Sequence, residues 1–258
     1  MTLKKTLKTS FKDGLMANNS FYLGDYLDLI LWLDASDAST IIDTTTPTQV
    51  EQWNDKSGNG FTLSQSTSIN QPIYDSVNKS LLFNGTFSII SSTDTALLDA
   101  FQVANANTVF AVAEFSTSAN EFLCLFSSGK DFFNRYNFTR RLTTDRISPS
   151  YYNGAAFVGN SIGIINATSV FDRNAVFTST YDGSNFDQFR VDGTNYTSTA
   201  AALDVGSGSG KFSLGVDQAD EQFLDGSISE IIVFNRVLSN AEIASIESYL
   251  INKWGVSI

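Results

Sequence analysis

The sequence predicts an all-β protein, a sandwich of two antiparallel sheets closed by one C-terminal amphipathic helix and preceded by an extended N-terminal arm. Three observations carry that expectation. Short β-branched and aromatic runs recur at fairly regular intervals between Asp-Gly, Asn-Gly and Ser/Thr/Asn turn signals. Helical periodicity is sustained in one place, Ser239 to Gly255. The chain has 258 residues, 42% hydrophobic and 13% aromatic, enough for one large core, and no linker or repeat divides it.

Residues 1–26 read as the arm, and residues 27–258 as the domain. Lys4, Lys5, Lys8 and Lys12 against Asp13 give the first 13 residues a formal +3; the chain carries −11, which leaves −14 for the body. With Phe11 these lysines form a candidate docking arm for an acidic partner surface, although a solvated tail explains them equally. Leu27 to Leu33 is the first strand. Asp34 to Ser39 is loop, and Val50 to Trp53 leads into the polar turn Asn54 to Gly60, whose glycines permit positive φ. Leu81 to Asn84 and Thr86 to Ser91 read as a hairpin over Asn84-Gly85. Further strands are expected at Thr108–Phe115, Glu121–Phe126 and Lys211–Val216. Ala175–Tyr181 and Phe186–Val191 form a meander turning at Asp182-Gly183 and Asp192-Gly193.

The chain closes with a strand, Ile228 to Phe234, introduced by Asp225-Gly226 and apolar enough from Ile231 to be buried on both faces. Ser239 and Glu242 have the spacing of a capping box. Ile243, Ile246, Leu250 and Trp254 then share a helical face, and Gly255 supplies a left-handed stop.

Cys124 stands alone, so no disulfide forms within the chain. The absence of histidine removes the usual zinc, copper and haem ligand sets and every hydrolase that relies on a histidine base. The acidic balance argues against nucleic acid, and no segment is long and apolar enough to span a membrane. The N-terminal lysines are followed by no apolar run, so no secretory signal is expected.

Leu29-Ile-Leu-Trp-Leu-Asp-Ala-Ser36, then Val50-Glu-Gln-Trp-Asn-Asp-Lys-Ser-Gly-Asn-Gly60, and finally Asp225-Gly226 with Phe234-Asn-Arg-Val-Leu-Ser-Asn-Ala-Glu242 resemble the concanavalin A-like, laminin-G-like jelly-roll domain. The ending Tyr249 to Gly255, Tyr-Leu-x-x-Lys-Trp-Gly, is similar to domains of phage structural proteins and bacterial surface proteins. The resemblance implies that the first and last strands lie side by side. It says little of function, because this fold carries lectins, adhesion modules, enzymes and inert domains.

The glucanases of this superfamily set carboxylates in the order Glu-x-Asp-x-x-Glu, which places acid and nucleophile about 5.5 Å apart across the sugar. No such run occurs here, and an enzyme is not expected. Ca2+ is the candidate cofactor. Asp34, Asp37, Asp55 and Asn59, with Asp217 and Asp225, supply hard oxygen ligands, while the turn role of the same side chains takes precedence. The candidate ligand-binding residues are Phe132, Arg135, Tyr136, Arg140, Tyr151 and Tyr152, where aromatic rings for sugar faces mix with guanidinium donors. The alternative makes Phe133 and Phe138 core and the arginines the solvent face of one strand. A laminin-G-like domain without disulfides suits a virion component folded in the reducing host cytoplasm. The expectation is a surface protein, repeated or oligomeric on a particle, docked to other virion proteins by its arm and displaying a lectin-like domain, with a cell-surface glycan as further partner. A bacterial carbohydrate-binding module is the alternative, and a polysaccharide-degrading jelly-roll enzyme the third reading.

Overall fold

The computed structural model describes residues 22–43, 48–101, 105–117, 122–131, 134–141, 146–152, 157–158, 164–165, 170–196, 200–201 and 210–257. Lys4, Lys5, Lys8, Phe11, Lys12 and Phe132 lie outside them. In chain order the strands are β1 (Leu29–Asp34), β2 (Ile41–Ile42), β3 (Gln52–Asn54), β4 (Thr62–Ser64), β5 (Ile73–Asp75), β6 (Ser80–Asn84) and β7 (Ile90–Ser92). After a short helix α1 (Thr95–Asp99) come β8 (Asn107–Phe115), β9 (Phe122–Asp131), β10 (Asn134–Arg141), β11 (Arg146–Tyr152), β12 (Phe157–Val158) and β13 (Ile164–Ile165). The rest are β14 (Ala175–Tyr181), β15 (Asn185–Val191), β16 (Thr194–Asn195), β17 (Ala200–Ala201), β18 (Lys211–Leu214), β19 (Asp225–Phe234) and helix α2 (Asn240–Trp254).

These form a jelly-roll-like sandwich of two antiparallel sheets. Sheet A runs β16-β15-β14-β8-β19-β6-β5, with β1 also on β19; sheet B runs β12-β11-β10-β9-β18-β7-β4-β3-β2. The first strand does pair with the last, Leu33 opposite Ile231 and Asp34 opposite Glu230. Between the sheets lies an aromatic core in which Phe126, Tyr136 and Phe138 of sheet B stack in series and Phe138 meets Phe177 of sheet A edge-on.

Helix α2 adds a third layer on the outer face of sheet A. Ile243, Ile246 and Leu250 are buried against Phe110, Val112, Val176, Ile232 and Phe234, a contribution of roughly 1.5–3 kcal/mol per helix side chain as an upper estimate. The capping box forms, with Ser239 accepting from the Glu242 N–H and Glu242 from the Ser239 N–H, and Gly255 ends the helix at φ 61°. Arg236 donates to Glu242 and to Asp28. That guanidinium, ahead of the Ser239 hydrogen bonds and against a smaller opposing effect of burial, holds the Glu242 carboxyl at about 2.

Two expectations are corrected. Leu81 to Ser91 is no hairpin. β6 belongs to sheet A, pairing with β5 and β19, whereas β7 belongs to sheet B, pairing with β18 and β4. The Asn84 Oδ1 atom accepts from the N–H groups of Thr86, Phe87 and Ser88, a side-chain turn that redirects the chain from one sheet to the other. The arm boundary at residue 26 is also too late. Leu23 is buried in the helix layer and Tyr26 packs edge-on against Phe234, so folded chain starts by Tyr22.

The turn after β3 covers the outer edge of β1. Asp55 Oδ1 accepts from the Trp32 N–H, Lys56 donates its own N–H to Trp32 O, Ser57 Oγ donates to Ile30 O, and Asn59 Nδ2 donates to Leu29 O and Ile30 O. An edge strand otherwise exposed is thereby satisfied by a loop.

Candidate functional site

On the outer face of sheet A, residues alternate outward along each strand. β8 presents Phe110, Val112 and then Glu114. β19 presents Phe234 and Ile232, then Glu230. The pairing of β19 with β8 shifts between Ile228 and Glu230, so Ser229 is an extra residue in that strand. The bulge reverses the facing of the residues before it, so that Ile228 enters the core and Ser227 joins the outer face, while Glu230, like Ile232 and Phe234, faces the helix.

There Glu230 accepts from Trp32 Nε1 at 2.7 Å, Lys253 Nζ at 2.8 Å and Trp254 Nε1 at 2.6 Å. Asp34, its cross-strand neighbour, binds Lys253 and Lys56, both at 2.8 Å, and Lys56 also reaches Asp37. Burial pushes the Glu230 carboxyl up despite the Lys253 charge. Burial acts the same way on Asp34, but hydrogen bonds from Lys253, Lys56 and Ser36 outweigh it and lower that carboxyl. A second polar pin lies along the helix. The buried Glu247 accepts from Thr178 Oγ1 at 2.8 Å and from Arg190 Nε and Nη2 at 2.8 and 2.9 Å.

Beyond the end of the helix the same face is open. Leu82, Ser227 and Glu114 form a cross-strand row in register on β6, β19 and β8; Asn174, just ahead of β14, continues it, since Ala175 is opposite Ala113. This row floors a groove of about 920 Å³, bounded by Trp254 and Lys253 on one side and the Val77–Lys79 turn on the other. Gly226 is required beside it, since a Cβ there would stand 2.0 Å from Glu114 O. The turn is built by Asp75, which accepts from the N–H groups of Val77 and Asn78, with Lys79 in the left-handed region at φ 55°.

The groove mixes the two ingredients of sugar recognition, fixed polar groups and apolar surface. Asn174 Oδ1 is buried without a hydrogen-bond partner among the described residues. Glu114 is half-buried; burial first, and the Asp172 charge second, push its carboxyl up. Trp254 is held by its bond to Glu230, so its ring is a fixed wall.

Two of the residues proposed from sequence, Tyr136 and Arg140, fall elsewhere. Tyr136 is fully buried, 0% exposed, between the sheets, with its hydroxyl 3.0 Å from Ser179 Oγ. It is not placed to stack on a ligand at the surface. Arg140 is 2% exposed, pairs opposite the core residues Leu123 and Ile147, and lies over the Phe171 ring at 4.5 Å, so it is not on a solvent face either. The cause is register: Tyr136, Phe138 and Arg140 are alternate residues of β10 and share its inner side. Arg135 is opposite Tyr152, and Tyr136 opposite Tyr151. The calcium candidates are engaged by protein donors. Besides its bonds to Lys56 and Lys253, Asp34 accepts from Ser36, Asp37 from Ser39, and Asp55 from Trp32 and Ser57, while Asn59 is a donor to β1. Among the described residues no group of three or more acidic, cysteine or histidine side chains could hold a metal ion.

Glu114 and Glu230 carried a signal in the sequence. Glu114 is a carboxylate next to the end of β8, and Glu230 stands in the middle of β19, directly before the apolar run Ile231 to Phe234. Glu247 likewise sits four residues after Ile243, on the buried face of the helix. Nothing local marks Asn174.

A family described as the concanavalin A-like lectin/glucanases superfamily, laminin-G type, matches residues 93–244, more than half the chain. The chain belongs to this family. A search of the curated proteins finds no match. Solved structures with the same fold include a Trypanosoma rangeli sialidase, at 12% identity and TM-score 0.57, covering 90% of this chain and 34% of the sialidase. Another is the receptor-binding domain of botulinum neurotoxin C/D mosaic serotype, at 12% identity and TM-score 0.61, covering 89% and 52%. A third is a botulinum neurotoxin type C structure, at 12% identity and TM-score 0.60, covering 86% and 51%, described as showing cell entry dependent on interaction with two ganglioside molecules. This laminin-G-like chain spans about a third to a half of the length of those proteins. At such identities the likeness is one of fold.

Proposed function

We propose that this laminin-G-like protein is a non-enzymatic, lectin-like binding protein whose groove at the end of α2 takes a glycan. The observation that carries the reading is the row Leu82–Ser227–Glu114–Asn174 beside the fixed Trp254 ring, an arrangement of hydroxyl partners and apolar surface left uncovered where the helix stops. Membership of a lectin and glucanase superfamily supports it. The missing Glu-x-Asp-x-x-Glu run favours binding over hydrolysis. The test is a glycan array probed with the full chain and with Asn174→Ala. Retention of a glycan class by the full chain and its loss in the variant are expected; an empty array would refute the reading.

The basic stretch Lys4 to Lys12, against an acidic body, favours a second element, display on a virion through the arm. Repetition on a particle raises avidity by about 10²–10⁴ without a strong single site. Deletion of residues 1–21, ahead of the buried Leu23, is expected to leave the domain folded and to remove it from purified particles, read by immunoblot. Particles that still incorporate the shortened chain would sink the arm.

A further inference from the structure

The charges around the groove are unequal. Glu114 and Asp225 line it, and Asp172 acts on Glu114 electrostatically. Of the two ammonium groups on its walls, Lys253 is already matched by Glu230 and Asp34, which leaves Lys79 on the opposite turn. Asp172 itself is bound by Thr117, through its N–H and its hydroxyl, with the Arg140 charge as a lesser influence. No hydrogen bond or ion pair engages the Glu114 side chain among the described residues, whereas Glu230 on the same face has three donors. A half-buried carboxylate with free acceptor oxygens, in a groove where carboxylates outnumber available cations, attracts a cationic donor and repels an anion.

We infer that the groove selects glycans bearing a free amine, such as glucosamine units, over N-acetylated ones and above all over sialylated ones, and that Glu114 is the residue that reads the amine. This rests on the glycan reading of the groove and narrows it to a substrate class. The ammonium would sit on Glu114, a ring hydroxyl on Ser227, and a ring face on Trp254. A charge-assisted hydrogen bond of this kind shifts affinity by about tenfold or more.

The experiment is calorimetric titration of the full chain, at about pH 6.5, where amines of this kind are largely protonated, with three probes: a glucosamine trisaccharide, its fully N-acetylated form, and sialyllactose. The expected order is the amine first, by about tenfold or more, then the acetylated form, with sialyllactose weakest. Glu114→Gln, with an unchanged melting temperature, is expected to erase the preference for the amine and to relieve the penalty on sialyllactose. Equal binding of amine and acetylated probes, tighter binding of sialyllactose, or a preference that survives Glu114→Gln would overturn the inference. So would failure of all three probes when the array shows another glycan bound. An array empty of any glycan removes the underlying reading as well, so the two failures are distinguishable.

Discussion

Under α2 the outer face of sheet A consists of Phe110, Val112, Val176, Ile232 and Phe234; past the last turn of that helix it becomes Leu82, Ser227, Glu114 and Asn174. The boundary between these regions runs through two glutamates on neighbouring strands. Glu230 is covered, and each of its oxygens accepts a hydrogen bond. Glu114 is uncovered and keeps its oxygens for whatever enters the groove. One glutamate fixes the helix and the other faces the open groove, and what separates them is the point at which the helix stops.

The strongest way to break this contrast is Glu230→Ala. It leaves two indole N–H groups without their acceptor and the Lys253 ammonium with Asp34 alone, and a loss of about 3–4 kcal/mol in urea unfolding is expected. Glu114→Gln should stay within about 0.5 kcal/mol, because it removes no partner. If the two variants lose comparable stability, the division into a covered and an open region is wrong. Next comes Glu247→Ala, which leaves Arg190 and Thr178 without their acceptor beneath the helix. A loss of about 2–3 kcal/mol is expected, and Thr178→Val in the same background should recover part of it. The smallest effect is at the helix start. The Glu242 carboxyl at about 2 is depressed from its ordinary 4.5, so its contribution is fully present above that ordinary value and is lost as pH falls towards about 2. Glu242→Gln should flatten this acid limb of the stability curve, read as denaturation midpoints between about pH 5 and about pH 2, and should lower stability at neutral pH by about 0.5–1 kcal/mol for the lost ion pair with Arg236, since the Gln amide oxygen still accepts from the Ser239 N–H.

Much of the fold was legible, and the reasons are local. The capping box at Ser239, the stop at Gly255 and the meander over Asp182-Gly183 each depend on neighbours a few residues away. The pairing of β1 with β19 came from resemblance, because no local rule brings Leu33 to Ile231. The hairpin expected over Asn84-Gly85 failed because an Asn-Gly pair specifies a change of direction, while the choice of sheet depends on strands far along the chain, β18 and β19. The site was less legible. In β10 an arginine two residues beyond a core phenylalanine lies on the same side as that phenylalanine; composition showed aromatics mixed with cations but not which side Tyr136 and Arg140 occupy. The groove is set by where a helix ends over a sheet, a relation among β6, β8, β19 and α2 that no single window of sequence contains.

The position of β19 has a consequence for how the protein is made. Its one edge holds β8 throughout, and its other edge is shared by β6 and β1, so the centre of sheet A is supplied by residues 225–234. A nascent chain that has not yet released these residues from the ribosome holds β1, β6 and β8 with their hydrogen-bonding edges unfilled and the apolar face of β8 bare. Sheet A therefore closes only after nearly all of the chain has emerged. Until then the unfinished sheet is a template for pairing with other chains.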